Sequence, residues 1–465
     1  MCIYRNEYFR LANIFIFVVM LFWYLGSDLI NQQYYVVGLT YIICNIVCTI
    51  LSKEVFFSWP VTIIRATGLF RYILMGIIMN PEINFKYSWI MIIEILAEYI
   101  TFFIFAYVNR DNRDYKEKKK VLDRKLDKIR VGLSVLIIIL VGGVLVFLNK
   151  DVLLLYFSLS TSKVKVVYAN GLIALIVSTF FLILFIKVFE FLDGTSNLPK
   201  FIKIVLILSV SVFYINGISV SNGDVSRWSM LIGAFVIYNI IIKFYPESKK
   251  WLLLVLGGVL IFIITVGTFM KLSVANAAYG IAYNDSLEMT IKNTFSYNTL
   301  NAYFAGPKNI DYAMSLVDSV QSLGVSKIEI LISDIFANFP LFNKFLSNET
   351  YTSVRMFNYQ IYGSTIAVDQ IIPLCGQMYN IFGDLFFVPE MIIVYNALKL
   401  NSKIKKETNL LKLYCLAYLT FALSLVNCNN LNIMCQGLWI QVLPVYLIYR
   451  FNIGIKNERR IKRRA

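Results

Sequence analysis

The sequence predicts an all-α, polytopic membrane protein of about twelve transmembrane helices with one large structured outer loop. Three observations predict it. Apolar runs of about 18 residues or more recur along the chain, each long enough to cross ~30 Å of hydrocarbon. Lys and Arg concentrate in alternate connections, the pattern of cytoplasmic loops. One connection, 271–380, has no membrane-length apolar run, yet it is rich in aromatics.

Of 465 residues, 58% are apolar and the mean hydropathy is +0.67, too much for one soluble core to hide. The first run, 11–26, follows the basic "RNEYFR" and lacks a small-residue cleavage site, so it reads as a retained signal anchor. Further spans are expected at 34–51, 61–79, 89–108, 131–148, 171–192, 204–220, 228–244 and 251–270. Three more follow the loop, at 381–398, 410–427 and 437–450. The chain thus divides into 1–270, the loop 271–380, and 381–465 with its basic tail.

An even number of crossings places both termini on one side. "RDNRDYKEKKKVLDRKLDKIR", "KFYPESKK", "KLNSKIKKE" and "KNERRIKRRA" mark that side as cytoplasmic. The net charge of +16 is therefore an orientation signal for a lipid bilayer, and nucleic acid is not expected as a partner.

Disordered tracts are poor in aromatics, so the loop is expected to be structured. "NIDYAMSLVDSVQSL" places Ile310, Met314, Val317 and Val320 on one helical face and Asp311, Ser315, Asp318 and Ser322 on the other. Short helices lying across the outer mouth of the bundle are expected.

The chain has no histidine, which excludes a Ser-His-Asp triad and a histidine zinc site. Its seven scattered cysteines suggest neither a disulfide framework nor a metal knuckle, although Cys428 and Cys435 could share an outer loop. No metal and no cofactor is expected.

Charges inside spans need a reason. Arg71 lies in the third span; Glu94 and Glu98 lie four apart on one face of the fourth. Arg71 and Glu98 count to similar depth, so they form an interhelical pair, or Arg71 faces a cavity and meets phosphate. Arg65 lies near the cytoplasmic end, where snorkelling suffices. Arg227 precedes Trp228 in a short outer turn, as an anchor or an anion ligand. Arg355 is the loop's one arginine, and Asp369 precedes "IIPLCG" as a base or a helix-end charge.

"IIPLCGQMYNIFGDLFFVPEMIIVYNALKL" (371–400) crowds turn-formers against an apolar run. It is a capping turn above the tenth span, or a broken segment lining an outward-facing cavity.

Pro373, Gly376, Tyr379, Asn380, Phe382 and Gly383 follow a long outer loop and precede a late helix. In that order they resemble the Wzy-type O-antigen and capsule repeat-unit polymerases. "YFAGPKNIDYAMSL" resembles the segment opening their large loop, "FSWPVTIIRATGLFRYIL" their third helix, and "GISVSNGDVSRWSMLI" their outer turn with an arginine. The likeness covers the layout of most of the chain but few residues. Gln377 stands where the family carries an acid, and a second glycine after Gly383 is missing.

The resemblance implies a GT-C-like polymerase/ligase architecture in the bacterial cytoplasmic (inner) membrane. It implies a glycosyltransferase that joins undecaprenyl-diphosphate-linked oligosaccharides on the outer leaflet. A flippase and a chain-length regulator would be its partners. A sugar hydroxyl attacks an anomeric carbon and the diphosphate leaves. Arginine forks suit the growing negative charge, which makes Arg227 and Arg355 candidates. Without histidine the base falls to an acid, Asp369 with Asp311 and Asp224 as alternatives. Arg71, Tyr303, Gly376, Tyr379 and Asn380 are candidate substrate-binding residues. Three other readings stand beside this one. A flippase for the same lipid-linked sugar lacks the expected internal repeat. An O-antigen ligase resembles the layout but relies on a loop histidine. A different polyprenyl-phosphate glycosyltransferase would carry paired acids in the first outer loop, where only Asp28 is found.

Overall fold

A computed structural model of the chain describes residues 2–27, 30–52, 55–79, 85–109, 129, 133–148, 171–194, 199–219, 227–246, 257–258, 296–322, 324–339, 352–363 and 370–451. Helix dominates, with no strand among the described residues. In lipid this is expected, because a helix satisfies its own backbone groups.

The first membrane block comprises α1 (Cys2–Leu25), α2 (Gln32–Leu51), α3 (Trp59–Ile78), α4 (Ser88–Val108), α5 (Leu133–Leu148), α6 (Gly171–Gly194), α7 (Lys200–Ser219) and α8 (Arg227–Phe244). The connection 271–380 supplies α9 (Tyr297–Tyr303), α10 (Pro307–Ser322), α11 (Lys327–Phe336) and α12 (Ser353–Tyr362). The chain ends with α13 (Leu374–Phe382), α14 (Phe387–Ile404), α15 (Leu410–Ser424) and α16 (Leu431–Phe451). Local chemistry sets several starts. Asn31, Asn409 and Asn430 accept backbone N–H groups at the heads of α2, α15 and α16. Pro60 occupies the first turn of α3, where no donor is lost.

A helix covers every expected span except 251–270, nearly all of which lies outside the described residues. Among the described residues, six helices are long and apolar enough to cross a membrane, or seven if one bent pair counts as a span. Stretches of α5, α7, α8 and α15 are apolar but shorter. The chain is thus a polytopic membrane protein by length and composition. The exposed Phe15 and Phe22 of α1 and Phe147 of α5 suit a lipid-facing surface.

Two cores form. One joins α1–α4 to α13 and α14. The other joins α6–α8 to α15 and α16. Phe304, at the α9–α10 corner, packs against both. It stacks on Phe70 of α3 at 4.9 Å and meets Trp228 of α8 edge-on at 5.7 Å.

The loop helices have a small core of their own, Ala313, Leu316, Ile330, Met356, Phe357 and Ile372. Helix α10 buries Ile310 and Met314 as its pattern predicts, and keeps Asp311 and Ser315 half-buried. The side chains of Val317, Asp318, Val320 and Ser322 are outside the described residues.

The 371–400 stretch takes the broken form: α13 and α14 meet at 118°. Gly383 makes the break, with φ +61° and ψ −135°, a conformation that side chains resist. The crossing expected at 381–398 therefore begins at Phe387, and the loop boundary at 380 falls inside α13. Helix α13 packs on α10 across Gly376. A Cβ there would lie 2.5 Å from the Cβ of Ala313. Gly376→Val is expected to cost about 1–3 kcal/mol by forcing these helices apart, read as a lower unfolding temperature in detergent.

Candidate functional site

A group of fully buried charges lies at the junction of α3, α4 and α13. Arg71 sits in a π-helical turn, Leu69–Leu74, that interrupts α3. Such turns often mark functional positions. Its guanidinium meets Glu94 at 2.8 Å, with both side chains fully buried. It also donates to the Asn427 carbonyl at 3.1 Å and to Cys375 Sγ at 3.4 Å. Tyr72 donates to Asn427 Oδ1 at 3.0 Å, and Tyr34 donates to the Arg71 carbonyl.

The expected interhelical pair thus exists, but on Glu94 rather than Glu98. The π turn puts more residues into a given rise than an α-helix does, so uniform counting placed Arg71 too deep. Glu98 is fully buried nearby, as is Glu390 of α14, and both lie within electrostatic range of the pair. Neither oxygen of Glu390 has a hydrogen-bond partner among the described residues. Arg71 is closed off from solvent in this state, and its role here is an ionic clamp. Glu390 was missed in the sequence, although an acid in "FVPEMIIVY" is the signal that picked out Glu94. Arg65 does more than snorkel. It donates to Asn13 at 2.6 Å and to Asn45, and lies 4.5 Å above the Phe56 ring.

A second buried acid anchors the loop. Asp334 accepts from the Ser353 backbone N–H at 2.9 Å, from the Ser353 hydroxyl, and from Gln377 Nε2 at 2.7 Å. Gln377 Oε1 accepts from the Leu431 N–H at 2.9 Å. Gln377 is therefore a bridge from α13 to α11 and α16. Burial pushes the Asp334 carboxyl up from its ordinary value, against the hydrogen bonds from Ser353 and Gln377 that favour its ionised form. Asp334→Ala strands those donors, each worth about 1–3 kcal/mol. Limited proteolysis between α11 and α12 is expected to accelerate while the membrane helices stay intact.

A third polar cluster surrounds the α9–α10 corner. Ala305 takes φ +46°, and Gly306 lies where a Cβ would strike Met75 of α3 at 2.6 Å. Asn301 bonds Asn309 at 2.8 Å and accepts the Lys308 N–H at 3.1 Å. Pro307 then starts α10 without losing a donor. This rigid corner presents Asp311. Its carboxyl is half-buried, and Oδ1 has no hydrogen-bond partner among the described residues. Burial raises its pKa to about 6, against the lowering effect of the Lys86 charge and backbone N–H. The Tyr297 hydroxyl lies within electrostatic range of Asp311. Lys308 is exposed one turn before it, with its ammonium 5.9 Å from the Tyr312 ring centre.

Several of the other sequence candidates fall among the described residues. Tyr303 ends α9, half-buried beside the corner. Tyr379 packs 5.9 Å from both Trp89 and Phe386. Asn380 donates to the carbonyls of Ala313 and Gly376, each at 3.0 Å, and so ties α13 to α10. Arg355 is exposed in the first turn of α12. Arg227 begins α8, but its side chain lies outside the described residues, as do Asp369 and Asp224. Cys428 is buried and Cys435 lies within α16; both are free thiols. No group of His, Cys, Asp and Glu able to hold a metal ion occurs among the described residues.

No protein family model, no curated protein and no solved structure matches this chain.

Proposed function

We propose that the chain polymerises undecaprenyl-diphosphate-linked oligosaccharide repeat units on the outer face of a bacterial cytoplasmic membrane. The observation that carries the reading is Asp311. A carboxyl with a pKa of about 6 and a buried oxygen that has no hydrogen-bond partner among the described residues sits on the 271–380 side of the bundle, where a base is required. In this reading Asp311 takes the proton from the acceptor hydroxyl. That oxygen bonds to the anomeric carbon of the second glycolipid. The bond from this carbon to the diphosphate breaks, and the diphosphate leaves with the electron pair. Lys86, Lys308, Arg227 and Arg355 supply the positive charge that holds it. The activated donor supplies the driving force, so no nucleotide is consumed.

Purified protein supplied with lipid-diphosphate repeat units is expected to extend them in detergent. Chain growth without two leaflets cannot arise from flipping. Arg355→Ala is expected to reduce growth about 10²–10³-fold and to leave single repeat units behind. Arg355→Lys should rescue poorly, since a point charge lacks the guanidinium fork. A normal ladder from Arg355→Ala would remove that residue from the site.

A transporter for the same glycolipid is the second reading. The broken α13–α14 pair and the buried Arg71–Glu94–Glu98–Glu390 group favour it, because discontinuous helices and intramembrane charges are common in transporters. Glycolipid movement across sealed vesicles, with no chain growth in detergent, would select it.

A further inference from the structure

A polar network that the proposed reaction does not use joins α1, α2 and α3. It lies at the end of these helices away from the α1–α2 turn, where Asn31 meets Gly76. Arg10 of α1 donates from Nε to the Thr49 carbonyl of α2 at 3.0 Å. The Thr49 hydroxyl donates to Asn13 Oδ1 at 3.1 Å. Arg65 of α3 donates from Nη2 to the same Asn13 oxygen at 2.6 Å, and from Nε to Asn45 Oδ1. Its guanidinium carbon lies 4.5 Å from the centre of the Phe56 ring and 5.4 Å from that of Phe17.

The two guanidinium groups differ in their charge balance. Arg10 forms an ion pair with Glu7 at 2.7 Å. Arg65 forms no ion pair among the described residues. Its partners are two amide oxygens and two ring faces, which stabilise a cation without neutralising it. Among the described residues the network thus carries one uncompensated positive charge, and a charge held away from water is costly without a counter-ion. Arg65 is half-buried rather than enclosed. Two of its five N–H groups are used within the described chain, which leaves the others for a ligand. It stands about 9 Å along the axis from Trp59, the first residue of α3. An arginine at that depth can reach the phosphate layer of a leaflet. Phe9, Leu11 and Phe15 of α1 are exposed beside Arg10 and Asn13, an apolar surface suited to acyl chains.

We infer that Arg65 binds the phosphodiester of a phospholipid head group, in the leaflet at this end of the bundle, with the acyl chains lying along α1. A phosphodiester carries one negative charge, which matches the one uncompensated cation. The guanidinium fork suits two phosphate oxygens at once. Asn13 and Asn45 hold the fork in position, and the Arg10–Thr49 contact ties α1 to α2 beside it. A lipid seated here bridges α1 and α3. The site lies at the other end of α3 from Met75, which packs against the Asp311 corner, so it stands independently of the glycosyl-transfer reading.

The test uses the full chain, purified in detergent and stripped of native lipid. Native mass spectrometry reads binding of phosphatidylglycerol, and of a diacylglycerol with the same acyl chains but no phosphate. Phosphatidylglycerol is expected to bind saturably and to raise the unfolding temperature, and the diacylglycerol to do neither. Binding should weaken at least about fivefold in Arg65→Gln, which removes the charge. It should recover in part in Arg65→Lys, which keeps a cation but loses the fork. Helix content identifies a variant that has merely failed to fold. A second measurement needs no variant: phosphatidylglycerol with a photoactivatable diazirine in its head group should label the parent chain between Glu7 and Asn13 or within 55–65. Labelling confined to other segments, equal binding of the two lipids, or equal binding by the parent and folded Arg65→Gln overturns the inference. Displacement of the lipid by millimolar inorganic phosphate would make the site one for a free anion and overturn it as well.

Discussion

Asp311→Asn is expected to lower the rate of chain growth by about 10²–10⁴-fold, the usual contribution of a positioned base. Asparagine keeps the shape and the neighbours but cannot take a proton. The pH profile gives a sharper readout. A base must be ionised to act, so the rate should climb with pH until about 6 and level off above it, following the Asp311 carboxyl. Burial raises that pKa, and Lys86 lowers it. Removing the ammonium with Lys86→Met should therefore move the inflection above 6, whereas a merely structural lysine would leave it in place. A flat profile from pH 5 to 8 in the parent chain, with chemistry shown to be rate-limiting, would take the base role from Asp311.

Arg71→Met is expected to destabilise the bundle by about 3–5 kcal/mol, because Glu94 would be left buried without its partner. The measurement is thermal unfolding of the purified protein, with membrane abundance as a second readout. Replacing both partners, Arg71→Met with Glu94→Met, should recover much of the loss, since an apolar pair of similar volume avoids the stranded charge. Arg71→Lys should recover little, because one ammonium cannot satisfy Glu94, Asn427 and Cys375 in their separate directions. If Arg71→Met unfolds like the parent yet cannot extend chains, the guanidinium serves substrate and the clamp reading fails.

The two centres differ in how far they could be read from residues alone. Arg71 and Glu94 were visible because lipid makes any charge within a span conspicuous. Their pairing was not, since a π turn changes the register and an α count cannot detect it. Asn427 was also invisible: it reaches Arg71 from 356 positions away. Asp311 was an alternative to Asp369; Asp369 and Asp224 lie outside the described residues, and burial beside Lys86 is seen for Asp311 alone of the three. Gly376 and Asn380 were conspicuous for the right reason, a broken backbone, but the contacts found for them are with Ala313 of α10, and no ligand is needed to explain them. Gln377 looked like the loss of a carboxylate; Asp334, buried in the loop helix "KIEILISDIF", brings a carboxylate to it from elsewhere in the chain.

Helical class, membrane residence and the presence of helices in the aromatic connection 271–380 followed from the sequence by itself. Each depends on a local quantity: the length of an apolar run, or the aromatic content of a segment. A solvent that cannot hydrogen-bond acts on those quantities residue by residue. Tertiary structure alone decided which acid Arg71 holds and how sharply the chain breaks at Gly383. Those outcomes depend on distances of a few ångströms between segments remote in the chain, and no local pattern encodes such distances.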